Sequence, residues 1–252
     1  TLKTPQQISG AIIKSVVPAT ADKSRVYTVS VTPCTAMKFE ARRDSMTRKG
    51  ISDIDTVLTV RELARLIILY GIDITNIDPE PADEPMALRS SASLLAEAAG
   101  GITESVLRSI AVRAGEKEAD KPAVKRLRNN GSFREAMVTA GGVTYTVAVV
   151  DGLKGLEKLR QMLDGGTHYD LVEVMACPGG CVNGGGMLPA GSKEAVRLRS
   201  RFIWQTDDQE AVRGPEQSAS VSDLYGKVFE QCSELADKTL FHTHFSKRDV
   251  LL

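Results

Sequence analysis

Two runs rich in β-branched residues each deliver a cysteine at their carboxyl end. RVYTVSVTP (25–33) leads into Cys34, and YDLVEVMAC (169–177) ends on Cys177. Runs of this kind read as buried strands. In open α/β sheets the carboxyl edge of the strands is where ligands bind, so both cysteines fall where an α/β fold puts its chemistry. The second run continues as MACPGGCVNGGG (175–186), which adds Cys181 and a string of glycines. On spacing alone the Cys177/Cys181 pair fits a redox pair, half a zinc site or part of an iron–sulfur cage.

The remaining pattern supports the α/β reading. Thr4-Pro5 ahead of QQISGAIIKSVV gives an N-cap, a proline at the first helical position and an apolar stripe ending before Pro18. Asp55 to Leu58 reads as a short strand. Thr59 and Glu62 have capping-box spacing for a helix through Ile68. Residues 76–90, acidic and proline-rich, form a loop. Residues 91–115 have helical period interrupted at Gly100-Gly101, which fits two helices meeting there and one kinked helix equally. MVTAGGVTYTVAVVDG (137–152) is a β-hairpin with Gly141-Gly142 in its turn. LKGLEKLRQML follows as an amphipathic helix, and the chain from Ser192 is helical, ending in FHTHF. Strand, helix and strand recur, which favours a sheet with helices on both faces.

Composition narrows the function. With 42% hydrophobic residues, the 252-residue chain can bury a full core, as one large domain or two intimate lobes. Lysine plus arginine and aspartate plus glutamate both total 32, a net charge of +0. That balance argues against a nucleic-acid footprint or a polybasic membrane surface. No apolar run reaches the roughly 18 residues of a membrane span, and TLKTPQQISG is neither a signal nor a transit peptide. A soluble cytoplasmic protein is expected, with residues upstream of a first residue that is not methionine.

The four cysteines are Cys34, Cys177, Cys181 and Cys232. A core of this size needs no disulfide staples, so metal or redox chemistry is the better reading for cysteines in Gly/Pro-rich turns. A Cys-x3-Cys pair closes less easily than the Cys-x2-Cys redox motif, and no other Cys/His spacing suggests a zinc knuckle. Cys34 is the natural third ligand, since thiolates from separate loops are what an iron–sulfur cluster requires. GGCVNGGG lets backbone approach a bulky anionic cofactor. Cys232 reads as structural. His168, His242 and His244 lack a third ligand at any local spacing and read as packed or surface residues.

VTPCTAMKFEARR (31–43) and EVMACPGGCVNGGG (173–186) resemble the second and third signature motifs of the iron-only, or FeFe, hydrogenases. KTPQQISGA, GISDIDTVLTVRELARLI, AAGGITESVLRS and the terminal LFHTHF are similar to that family as well, so the resemblance runs through the whole chain. It implies a single H-cluster-type domain over 1–252, incomplete at its N-terminus. Its sublobes, near 20–135 and 136–252, would have mainly parallel sheets flanked by helices and a cofactor at strand carboxyl ends between them. The implied cofactor is a 4Fe-4S cube joined through a cysteine sulfur to a diiron unit with CO, CN and azadithiolate ligands.

Carried over by position, Cys34 and Cys177 would ligate the cube and Cys181 would link it to the diiron unit. Met175 would pack on that unit. Thr4, Pro5, Gln6 and Pro33 would line its pocket, and Glu40 would match a carboxylate of the proton path. The family's first signature, with the fourth cube ligand and a proton-shuttling cysteine, is absent. Met37 stands where a lysine is usual and Thr32 where a methionine is usual, removing a charge-assisted hydrogen bond to a cyanide ligand. Lys38 could take over only by turning from the other face of the local backbone. Ala96 and Glu97 replace a phenylalanine and a glycine, and Met187-Leu188 replace Gln-Pro. Glu97 then either offers a substitute relay carboxylate or faces solvent on a helix.

These departures are similar to divergent branches that include hydrogen-sensing members. The resemblance implies reversible H2 oxidation and proton reduction, with an H2 sensor of low turnover and an assembly or scaffold protein without a diiron unit as alternatives. Its partners would be H2 and protons, an electron-transfer partner such as ferredoxin or an upstream iron–sulfur domain, and maturation proteins, with no nucleic acid and no membrane.

Overall fold

The computed structural model describes residues 1–16, 26–48, 50–81, 83, 90–117, 121–129, 131–231 and 240–245. Pro18 and Cys232 lie outside them. The fold is α/β, and the chain divides into two compact units, Thr1–Ile77 with Asp223–Leu252, and Asp78–Ser222. These boundaries differ from the sublobes read from the sequence, because a cut after 135 would fall inside a strand that spans Phe133–Ala140.

In the first unit, α1 (Pro5–Val16) starts on its proline, where the missing N–H costs nothing. Ala11 and Ile12 pack on Leu240 and Phe241. Phe241 also stacks on Tyr225 of α9 (Ala219–Gln231), with ring centroids 6.3 Å apart. Gly10 presses on the carbonyl of Asp53, where a Cβ would come within 2.2 Å. Beside it the buried Lys3 ammonium meets the Asp53 carboxylate at 2.6 Å.

Strand β1 (Val29–Thr32) pairs in parallel with β4 (Thr56–Thr59). Between them lie α2 (Ala36–Ala41) and the short antiparallel pair β2 (Thr47–Arg48) and β3 (Ile51–Ser52). The expectation of a buried first strand is corrected here. Tyr27, Val29 and Val31 are exposed, while Thr28 and Thr32 point inward. Thr28 can be buried because its hydroxyl reaches the Asp53 carbonyl at 3.1 Å and the Asp55 carboxylate at 3.0 Å, which offsets the cost of desolvating it. Strand β4 runs straight into α3 (Val60–Leu69) through the expected capping box: Thr59 accepts from Glu62 N–H at 3.3 Å and Glu62 accepts from Thr59 N–H at 2.8 Å.

The second unit is a three-stranded sheet between helices. Its strands are β5 (Phe133–Ala140), β6 (Val143–Asp151) and β7 (Leu171–Met175), in the order β5-β6-β7, antiparallel then parallel. Both turn glycines of the hairpin have positive φ, 61° at Gly141 and 74° at Gly142, which favours the primed turn that matches strand twist. Central β6 is buried on both faces. Val147 and Val149 face α5 (Gly101–Arg113) and α6 (Lys121–Leu127), and Ala148 and Val150 face α7 (Leu156–Asp164). Strand β7 differs from the fully buried strand expected, because Val172 and Val174 are exposed while Glu173 and Met175 turn inward.

The helical stretch 91–115 is two helices. After α4 (Ser91–Leu95), Gly100 takes φ 92°, and a Cβ on Gly101 would sit 1.8 Å from the Leu95 carbonyl oxygen. Further along, α8 (Lys193–Gln209) is capped by Ser192, which accepts from Ala195 N–H at 3.1 Å. It brings Asp207 into a buried ion cluster with Arg108, Arg128 and Arg213, alongside Glu104. Among the described residues no helix is long and apolar enough to cross a membrane.

Candidate cofactor site

In the first unit the expected site residues gather around Cys34. The cysteine follows β1, its thiol half-buried, and its N–H donates to Thr32 Oγ1 at 3.2 Å. The same hydroxyl lies 3.0 Å from Met37 Sδ on α2. Gln6 donates to the Met37 carbonyl at 3.3 Å and accepts from Ser30 Oγ at 2.7 Å. Thr4 donates to Glu40 Oε2 at 2.7 Å. Pro5 opens α1, exposed, and Pro33 stands half-buried before Cys34.

Glu40 is half-buried, and loss of solvent raises its carboxyl above the usual range against the opposing pull of the Thr4 hydroxyl and Arg43. Lys38 is directed elsewhere, with its ammonium 2.7 Å from Glu62. The expectation that Lys38 could stand in only by turning from the other face agrees with its pairing to Glu62.

In the second unit β7 delivers Met175, Cys177 and Cys181. Met175 is buried in the core beneath α5, and both cysteine thiols are half-buried. The intervening Gly179 and Gly180 have φ of 88° and 87°. A Cβ on Gly180 would lie 2.6 Å from the Ala99 nitrogen, so no side chain fits there. Backbone bonds clamp the loop to the segment before α5: Ala99 N–H reaches the Gly179 carbonyl at 3.2 Å and Val182 N–H reaches the Glu97 carbonyl at 3.1 Å. Glu97 itself is half-buried, and burial raises its carboxyl.

Three residues beside this loop escaped the sequence reading. The buried Asp151, at the end of β6, accepts the N–H of Gly179. Its carboxylate lies 3.4 Å from the buried guanidinium of Arg134. Glu173 of β7 accepts from Gly100 N–H at 2.7 Å, from Thr103 N–H at 2.8 Å and from the Thr103 hydroxyl at 2.8 Å. Desolvation pulls Arg134 below the usual arginine value, with Asp151 and Glu173 opposing. A lone acidic residue inside the apolar run LVEVM was the one local signal that could have pointed to Glu173.

Thiols are donors of the kind an iron–sulfur group takes: in the second unit Cys177 and Cys181 present half-buried ones in the loop after β7, and in the first unit Cys34 presents one after β1. Among the described residues no three His, Cys, Asp or Glu side chains converge on a single metal ion. A cube takes one thiolate per iron, so its ligands are spread around it. His168, His242 and His244 are exposed, in keeping with surface roles.

The family model described as iron only hydrogenase large subunit, C-terminal domain, matches residues 1–185. The chain belongs to this family. It is 33% identical over 253 residues to Iron hydrogenase 1 of Clostridium pasteurianum, covering 97% of this chain and 44% of the relative. It is 30% identical over 260 residues to the cytosolic Fe-S cluster assembly factor narfl of Xenopus tropicalis, covering 96% and 52%. The chain thus spans about half the length of these curated relatives. Among solved structures, an apo [FeFe]-hydrogenase HydA1 from Chlamydomonas reinhardtii superposes with a TM-score of 0.73 at 26% identity, covering 97% of this chain and 69% of that one.

Proposed function

We propose that this chain is the cofactor-bearing part of a cytoplasmic hydrogenase that interconverts H2 with two protons and two electrons, exchanging the electrons with a ferredoxin-type partner or an upstream iron–sulfur domain. Cys34 and Cys177 would hold a 4Fe-4S cube and Cys181 would join it to a diiron unit installed by maturation proteins. When bound, that cofactor supplies the irons that polarise H2 and take up its electrons.

The observation that carries this reading is the Thr4–Glu40 hydrogen bond of 2.7 Å. It joins the TPQ segment to the motif of Cys34, so that two stretches matching the family separately form one wall. Glu40 holds or releases a proton at its carboxyl, and burial favours the protonated form. Thr4 orients it through a hydroxyl that serves α1 as well, lying 3.5 Å from Gln7 N–H. Gln6 fixes the backbone of Met37. Glu97 is a second carboxyl able to relay a proton, and Met175 stabilises the strand end through the core.

Assembly of iron–sulfur clusters is the second reading, favoured by 30% identity to an assembly factor over nearly the whole chain. Infrared spectra of the anaerobically matured protein, taken with its full upstream sequence under H2 and then argon, separate the two. CO and CN bands that shift between the gases support hydrogen chemistry, and turnover assays then divide enzyme from sensor. Bound iron and sulfide without such bands would support the assembly reading. In an active protein, Glu40→Gln and Glu97→Gln test the relays through the pH dependence of H2 oxidation.

A further inference from the structure

We infer that Asp151 is a positioning residue for the Cys177–Cys181 loop and sets the reduction potential of the cluster held there. This rests on the reading that these cysteines bind an iron–sulfur cluster. Asp151 ends β6, whereas both cysteines follow β7, yet its carboxylate accepts the N–H of Gly179, midway between them. That bond has two consequences.

The first is mechanical. Gly179 and Gly180 both take positive φ, which glycine adopts freely, so the loop conformation must be imposed from outside. Ala99 N–H and the Glu97 carbonyl hold one side of it. Asp151 holds the other, and is itself fixed by its backbone N–H to the Ser132 carbonyl at 2.9 Å and by Arg134.

The second is electrostatic. Cluster potentials follow the local net charge and the N–H groups donated to the sulfurs. Here the Gly179 N–H is given to Asp151 and is withheld from any sulfur. Behind the loop, Asp151 pairs with Arg134 at 3.4 Å, Glu173 acts on the same guanidinium only through space, and all three side chains are buried. Two carboxylates against one guanidinium leave a net negative charge in a medium that screens poorly. Both effects disfavour adding an electron to the cluster and lower its potential.

The test uses the protein with its full upstream sequence, reconstituted anaerobically with iron and sulfide. Iron release to a chelator reports positioning, and an EPR-monitored redox titration reports the potential. Asp151→Asn keeps an acceptor for Gly179 but not the charge, so it should hold iron as the parent does while its midpoint potential rises. Asp151→Ala keeps neither and should lose iron about 10-fold faster, the size of effect seen for groups that orient metal ligands. An unchanged potential in Asp151→Asn, or parental iron retention in Asp151→Ala, overturns the inference. Should Asp151→Asn fail to fold by circular dichroism, Glu173→Gln decides: it removes the second negative charge without direct contact to the loop, and, with iron retention as in the parent, an unchanged potential there overturns the inference equally. Failure of the parent chain to take up iron and sulfide would overturn the cofactor reading itself, and is visible before any substitution is made.

Discussion

Thr32 and Met37, which flank Cys34 in the sequence, touch each other: the Thr32 hydroxyl lies 3.0 Å from the Met37 sulfur. The same hydroxyl accepts the Cys34 N–H at 3.2 Å. The pair is a local contact in which a hydroxyl and a thioether satisfy one another. Thr32→Val should cost about 2 kcal/mol, because it also leaves the Cys34 N–H without its acceptor. Met37→Leu, similar in volume, should cost less than about 1.5 kcal/mol. In urea denaturation a double-mutant cycle should return a coupling of about 0.5 kcal/mol or more; strictly additive losses would show that the contact is incidental.

Glu62 provides the pH prediction. The Lys38 ammonium, followed by the Thr59 N–H and hydroxyl, holds its carboxyl down to about 2. A carboxyl depressed in the folded state adds stability that is complete above the ordinary carboxylate range and is lost as pH falls from there toward about 2. An NMR titration should therefore find Glu62 still ionised at pH values where exposed glutamates are protonated, and Lys38→Ala should move it back up. Thr59→Ala should lower stability by about 1 kcal/mol through loss of the cap, read as a drop in Tm.

The ion cluster of the second unit should tolerate damage poorly. Burial alone would raise the Asp207 carboxyl, but hydrogen bonds from Arg108, Ser91 and Arg213 outweigh it and hold the group far below the usual range. Arg128 bridges Glu104 and Asp207, whose side chains are 1% and 0% exposed. Arg128→Met leaves both carboxylates buried with less compensation and should cost about 3 kcal/mol or more in chemical denaturation. A loss below about 1 kcal/mol would mean that solvent reaches the cluster and screens it.

Gly180→Ala should be damaging for two reasons that add. Its φ of 87° disfavours a side chain, and the new Cβ would meet the Ala99 nitrogen at 2.6 Å. Strain of this kind costs about 1–3 kcal/mol before any clash. A thermal melt indistinguishable from the parent would show that the loop is free to move away from residues 97–99.

Much of the architecture can be read locally. The capping box at Thr59 and Glu62, the glycine pair in the hairpin and the interruption at Gly100-Gly101 depend on neighbours in sequence, and each lies where its residues predict. The inward faces of β1 and β7 depend on partners far along the chain. Thr28 turns inward because Asp53 and Asp55 meet it, and Glu173 because Gly100 and Thr103 do. Hydrophobicity alone predicts the opposite for Val29, Val31, Val172 and Val174, which lie exposed.

The site divides in the same way. Cysteines in glycine-rich turns are visible in one dimension, and so is Glu40 once the motif around Cys34 is recognised. Asp151 is invisible, because its bond to Gly179 spans 28 residues and its neighbours in sequence mark only the end of a hairpin. Nothing around Met37 indicates that its sulfur answers the hydroxyl of Thr32. Charged residues make up 25% of the chain, and no local window singles out Arg134, Glu173 or Asp207 for the interior.

The close approach of Gly180 to residues 97–99 ties together segments that a reader of the chain would treat as separate. One extra residue before α5, or one fewer in the cysteine loop, would slide a carbonyl into the space where two backbones now meet. The lengths of these stretches are thus under joint constraint. A change in one without the other would break this contact, and a graft of the cysteine loop into another scaffold would have to carry the glycine break before α5 with it.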